Sequence, residues 1–143
     1  ITAITFVEGK KMVQEEKEKL EALVVDDEPI VGKNMKIILK KLDLNIESYE
    51  DPAQALERID NKHFDIVITD VVMGEVDGIQ VLEHTTEKHP AAKVIIITAF
   101  AQMSLARKAM ERGAFDFLAK PFDAEQVRTV VGKAIDALQA ESA

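Results

Sequence analysis

Three short apolar runs in this chain each end on charge, and that recurrence narrows the folds open to it. Leu23-Val24-Val25 runs into Asp26-Asp27, Ile66-Val67-Ile68-Thr69 into Asp70, and Phe115 to Ala119 into Lys120-Pro121. β-Branched runs of this length, bounded by polar residues, read as strands buried on both faces of a parallel sheet. Ligands of an open α/β sheet bind at the carboxyl ends of its strands. The runs therefore aim Asp26, Asp27, Asp70 and Lys120 at one pocket. Carboxylates gathered that closely repel one another unless a cation sits among them. With oxygen ligands only, the cation expected is hard and divalent, and Mg²⁺ fits best. The chemistry implied is phosphoryl transfer.

Strand and helix patterns alternate through the rest of the chain, as repeated βαβ units require. Strands are expected at Ala22–Asp26, Asn45–Tyr49, Asp65–Thr69, Val94–Thr98 and Phe115–Ala119. After the first, Pro29 suits an opening helical turn, with Ile30, Val31, Met35, Ile38, Leu39 and Leu42 as the apolar stripe. Asp51-Pro52 is an N-cap and N1 pair for a helix burying Ala55, Leu56 and Ile59. A loop through Met73, Gly74 and Asp77-Gly78 leads to a helix burying Ile79, Val81 and Leu82, with Thr86 a fourth candidate. Met103–Arg112 is the next helix, closed by Gly113 as a left-handed cap. Asp123 caps the last, which buries Val127, Val130, Val131, Ala134, Ile135 and Leu138. The fold class expected is α/β, a doubly wound (βα)5 five-stranded parallel sheet of flavodoxin-like layout with an N-terminal extension.

The domain boundaries expected are 1–19 for that extension and 20–143 for the (βα)5 unit. Ile4–Val7 is mildly strand-like, whereas Lys10–Glu21 is charged and helix-favouring, with Glu15 and Lys19 at i,i+4. The bland reading is a solvated tail; the sharper one is a linker or dimerising helix. Met12, Leu20 and Leu23 are too sparse for a coiled-coil seam. The chain begins at Ile1 rather than a methionine and ends at Ala143, so the expectation is either a stand-alone unit or a piece of something longer.

Composition removes several classes of function. There is no cysteine, so disulfide frameworks and thiolate metal sites are out. A net charge of −8 argues against direct nucleic-acid contact and suits protein partners. No apolar stretch has the length of a membrane span, and no signal peptide is visible, so a cytoplasmic location is the default.

Each candidate has a bland reading beside its chemical one. Asp70, past a buried run, is either a cap or a nucleophile that becomes an aspartyl phosphate. Asp26 and Asp27 either cap the helix after Pro29 or hold Mg²⁺, and one of each is compatible with both. Thr98 is either a plain strand residue or a hydroxyl donor to a phosphoryl oxygen. Lys120 is either a solvated lysine or a point charge for that oxygen and a carboxylate. The Lys120-Pro121 bond is a candidate cis peptide.

Val24–Pro29, Ile68–Met73, Asp77-Gly78, Ile97–Ala99 and Phe115–Phe122 resemble the receiver domain of two-component response regulators over Leu20 to Leu138. The resemblance implies that Asp70 is the phosphoacceptor and that Asp27 ligates Mg²⁺ directly, with Asp26 acting through water. It implies that the Val72 backbone carbonyl is a further ligand, that Thr98 and Lys120 bind the phosphoryl group, and that Thr98 and Phe117 switch on phosphorylation. Expected partners are a sensor histidine kinase or histidine phosphotransfer protein, and a downstream output domain or protein. The domain would modify itself rather than turn over a substrate. Gly113 to Leu118 is most similar to receivers of sigma-54-dependent activators. Three positions depart from the pattern: Gly74 stands where such domains usually carry proline, and Val72 and Phe100 flank the site with apolar side chains.

Two other classes compete. A haloacid-dehalogenase-like phosphatase also uses a nucleophilic aspartate and Mg²⁺, but needs an acid where this chain has Val72. A flavodoxin-like carrier shares the strand layout, but Asp26-Asp27-Glu28 would repel the FMN phosphate.

Overall fold

The computed structural model describes residues 2–7, 10–16, 19–74 and 76–142. Its elements in chain order are β1 (Thr2–Val7), β2 (Lys10–Glu16), β3 (Leu20–Val25), α1 (Pro29–Leu39), β4 (Leu44–Tyr49), α2 (Pro52–Asn61) and β5 (Ile66–Asp70). There follow α3 (Gly78–Lys88), β6 (Lys93–Ala99), α4 (Met103–Glu111), β7 (Asp116–Lys120) and α5 (Ala124–Ser142). Strands β3 to β7 form one parallel sheet in the order β4-β3-β5-β6-β7. That is the expected doubly wound (βα)5 arrangement. The order reverses between β3 and β5, which opens a crevice at their carboxyl ends.

The pleat sorts the core into two layers. Leu23, Val25, Val67 and Ile96 point to one face, where Ala55 and Ile59 of α2, Val81 and Leu82 of α3, and Ala106 and Ala109 of α4 cover them. Their strand neighbours Ala22, Val24, Ile66, Ile68, Ile95 and Ile97 point to the other, under Val31, Met35 and Leu39 of α1 and Val127, Val131 and Ala134 of α5. Strands covered on both sides need apolar residues at successive positions. β5 is accordingly buried at all five residues, Asp70 included.

Three readings of the sequence need correction. The charged stretch from Lys10 is not helical: Lys10–Glu16 is a strand, paired antiparallel with Thr2–Val7 in a separate two-stranded sheet. The β-branched and aromatic residues of Thr2–Val7 supply a strand partner, and pairing overrides the helix preference of Lys and Glu. Ile30 lies outside the α1 stripe and is 57% exposed. The buried face follows Val31, Met35 and Leu39 at four-residue steps, and Ile30 is rotated by about 100° from it. In α3 the buried residue is Thr85 rather than Thr86, its hydroxyl donating to the Val81 carbonyl at 2.7 Å.

Candidate functional site

The residues singled out at the strand ends do meet. Oxygens of Asp26, Asp27 and Asp70 all lie within 4.8 Å of one another, with Asp26 and Asp70 buried and Asp27 exposed. Asp26 directly follows β3, its N–H donating to the Tyr49 carbonyl of β4 at 3.2 Å. Asp70 is the last residue of β5, in register with Ile97 of β6. The two carboxylates thus face each other across the reversal in strand order.

Lys120, closing β7, reaches both. Its Nζ lies 3.0 Å from Asp70 Oδ2, 3.1 Å from Asp26 Oδ2 and 3.2 Å from Glu28 Oε1. The Asp70 contact is a hydrogen bond. Asp26 Oδ2 meets the ammonium only as an ion pair and, though buried, accepts no hydrogen bond. Asp26 Oδ1 accepts from the Glu28 N–H at 2.9 Å, and Asp70 Oδ1 from the Val72 N–H at 3.2 Å. Neither Asp26 nor Asp27 caps α1, whose N-cap is Glu28 without a side-chain cap bond. That removes the bland reading of the pair.

Charge is undersupplied here. Burial pushes the Asp26 carboxyl up to about 6, opposed by the Glu28 N–H and reinforced by the neighbouring Asp70 charge. Burial would lower the Lys120 ammonium, but the hydrogen bond from it to Asp70 and the charge of Asp26 hold it above its ordinary range. One ammonium serves several acids. A buried carboxylate oxygen met only by a shared ammonium, beside two further carboxylates, is the donor set a hard divalent cation takes, so the residues present fit Mg²⁺.

The loop after β5 is shaped by two glycines. A Cβ on Gly78 would sit 2.3 Å from the Asp70 carbonyl oxygen and 2.8 Å from Val71 Cα, so α3 approaches β5 this closely only with glycine there. The Gly78 N–H donates to the Val71 carbonyl at 2.9 Å, and Asp77 and Gln80 close a capping box. Gly74 has φ of +58°, a left-handed conformation that proline's ring forbids. The departure at position 74 thus reflects a different turn.

The remaining candidates lie around this centre. Thr98 is fully buried, and its hydroxyl donates to the Ala99 carbonyl at 3.1 Å. Phe117 on β7 is half-buried and packs against the α2–α4 face of the core. The Lys120–Pro121 bond is cis, and Gly113 has φ of +101° after α4, both as expected. Val72 is partly exposed, and the Phe100 ring is 86% exposed. Glu28 was not singled out as a site residue, although its place in the run Asp26-Asp27-Glu28 was the available signal.

A family model described as the response regulator receiver domain matches residues 22–132. The chain belongs to that family. The receiver is 35% identical over 116 residues to the chemotaxis protein CheY of Listeria monocytogenes, covering 80% of this chain and 98% of CheY. It is 33% identical over 114 residues to the response regulator protein PilR of Pseudomonas aeruginosa, covering 80% of this chain and 26% of PilR. It therefore spans about a quarter of the length of PilR, and of the DNA-binding transcriptional regulator NtrC of Escherichia coli. A crystal structure of a receiver domain protein from Clostridium thermocellum superposes with a TM-score of 0.79 at 28% identity, covering 85% of this chain and 98% of that one. The chain is a receiver of two-component response regulators, a signalling class that works in phosphorelays. Among the described residues, no helix is long and apolar enough to cross a membrane.

Proposed function

We propose that the receiver accepts a phosphoryl group from the phosphohistidine of a sensor histidine kinase or phosphotransfer protein onto Asp70. One observation carries this reading: Asp70 ends the central strand, buried, with one oxygen on the Lys120 ammonium and the other on the Val72 N–H. In the transfer a histidine N–P bond breaks and an Asp70 O–P bond forms. Asp27 would hold Mg²⁺ directly and Asp26 through water, with the Val72 carbonyl as a further ligand. When bound, Mg²⁺ neutralises charge on the phosphoryl oxygens. Lys120 adds a fixed positive charge beside Asp70 and shifts from the free carboxylate to a phosphoryl oxygen.

The Thr98 hydroxyl then exchanges its Ala99 carbonyl partner for the new dianion, and Phe117 turns toward the space vacated. The face built by α4, β7 and α5 changes as a result, a local charge event biasing a two-state element. The receiver is a self-modifying switch and not a turnover enzyme, and it acts in the cytoplasm, where kinases have ATP. Residues 20–143 are the switch and 1–19 a separate extension, a division supported by the family match from residue 22 and by the separate β1–β2 sheet. Its output passes to a downstream domain or protein. Resemblance to both CheY and the DNA-binding NtrC leaves a free-standing and a transcriptional output equally supported. Asp70→Asn abolishes labelling by acetyl phosphate in Mg²⁺ if the reading is right. Undiminished labelling of that variant refutes it.

A further inference from the structure

The chain has three histidines, and two of them meet at the end of the sheet away from the aspartates. His63 lies two residues beyond α2, and His89 is the C-cap of α3. Their rings stand edge to face, with centroids 4.9 Å apart, and their Nδ1 atoms are 3.3 Å apart. The outer nitrogens are both committed. His89 Nε2 is 2.9 Å from the Ile59 carbonyl, which only accepts, so that nitrogen carries the proton. His63 Nε2 is 3.1 Å from Asp65 Oδ1, while Asp65 Oδ2 is fixed by the Glu21 N–H at 2.8 Å. That nitrogen carries a proton too. In the neutral rings both Nδ1 atoms are then bare lone pairs facing each other. Such an arrangement is repulsive without something positive between them.

We propose that His63 and His89 bind a borderline divalent transition metal of the Zn²⁺ type through their Nδ1 atoms. Two Zn–N bonds of about 2.0–2.1 Å at a tetrahedral angle place their nitrogens about 3.3–3.4 Å apart, which the pair already matches. A carboxylate on one ligand's outer N–H and a backbone carbonyl on the other's is also the support that metal-bound histidines have. Water completes the coordination, so the affinity is moderate. The bound metal ties the segment after α2 to the end of α3, far from Asp70 along the strands. His84 is engaged elsewhere, its Nε2 2.7 Å from Asp60 Oδ1, with Lys88 beside that carboxylate at 3.8 Å.

The test is Zn²⁺ titration of the whole chain in saturating Mg²⁺, by calorimetry and by the imidazole signals in NMR. Wild-type protein takes up one Zn²⁺ per chain, with the His63 and His89 ring signals shifting and those of His84 unmoved. His63→Asn and His89→Gln each weaken uptake by about tenfold or more, and His84→Gln leaves it unchanged. The His63 side chain is 60% exposed, so its variant reads binding without disturbing the core. Uptake that survives His63→Asn overturns the proposal. So does a wild-type pair that takes up protons on acidification but no Zn²⁺.

Discussion

Asp26, just past β3, and Glu47, on the neighbouring strand β4, have carboxyls held in opposite ways. Glu47 on β4 accepts from Arg58 Nε at 2.7 Å, Lys62 Nζ at 2.5 Å and the Tyr49 hydroxyl at 3.0 Å. The Arg58 bond, with Lys62 and Tyr49 behind it, pulls the Glu47 carboxyl down to about 2 against its partial burial. Asp26 accepts one backbone bond, shares one ammonium with Asp70 and Glu28, and is pushed up to about 6. Glu47 is oversupplied with positive charge and Asp26 is starved of it. A saturated cluster fastens the edge strand to α2, whereas an unsaturated one leaves buried carboxylates short of positive charge.

The contrast breaks most sharply at Lys120. Lys120→Met removes the single cation shared by two buried carboxylates, and about 2 kcal/mol of stability should go with it in metal-free buffer. Mg²⁺ should restore much of that loss, which urea melts with and without the ion will show. The next effect is the ion's own. At a hundred times its dissociation constant Mg²⁺ should stabilise wild-type protein by about 2.7 kcal/mol, and Asp27→Ala should remove most of that gain.

Asp26→Asn sharpens the comparison from the other side. A carboxyl whose pKa is raised on folding helps stability below its unfolded value near 3.8 and loses that help as pH rises through about 6. Without metal, the variant should therefore be more stable than wild type by about 1–2 kcal/mol at pH 7.5, with no gain below pH 4. Glu47→Gln should do the reverse and by less. A depressed pKa stabilises above the unfolded value near 4.5 and is lost as pH falls toward about 2. The variant should cost about 1 kcal/mol at neutral pH and flatten the acid limb of the stability curve. Equal responses of the two substitutions at pH 7.5 would remove the distinction between the clusters.

How much of this the sequence discloses depends on the range of the interaction. The five parallel strands, the Asp51 and Asp123 caps and the Gly113 turn are written in patterns a few residues long, and each is found where expected. The convergence of Asp26, Asp70 and Lys120 was legible because parallel topology brings strand ends together whatever the loops do. The Lys10 segment was misread because helix propensity is local while strand pairing is decided by a partner. The role of Glu28 and the tight approach at Gly78 depend on how neighbouring elements dock, which local spacing does not encode. The meeting of His63 and His89, 26 residues apart, is of the same kind.

On the proposed function, the charge-starved cluster directs phosphorylation to Asp70. Wild-type protein treated with acetyl phosphate can be reduced with borohydride, which converts an acyl phosphate to homoserine, and then mapped by peptide mass spectrometry. Homoserine at position 70 alone, and only when Mg²⁺ was present, is the result predicted. Homoserine at another carboxylate, or at position 70 to the same extent without Mg²⁺, would rule out Mg²⁺-dependent phosphorylation of Asp70.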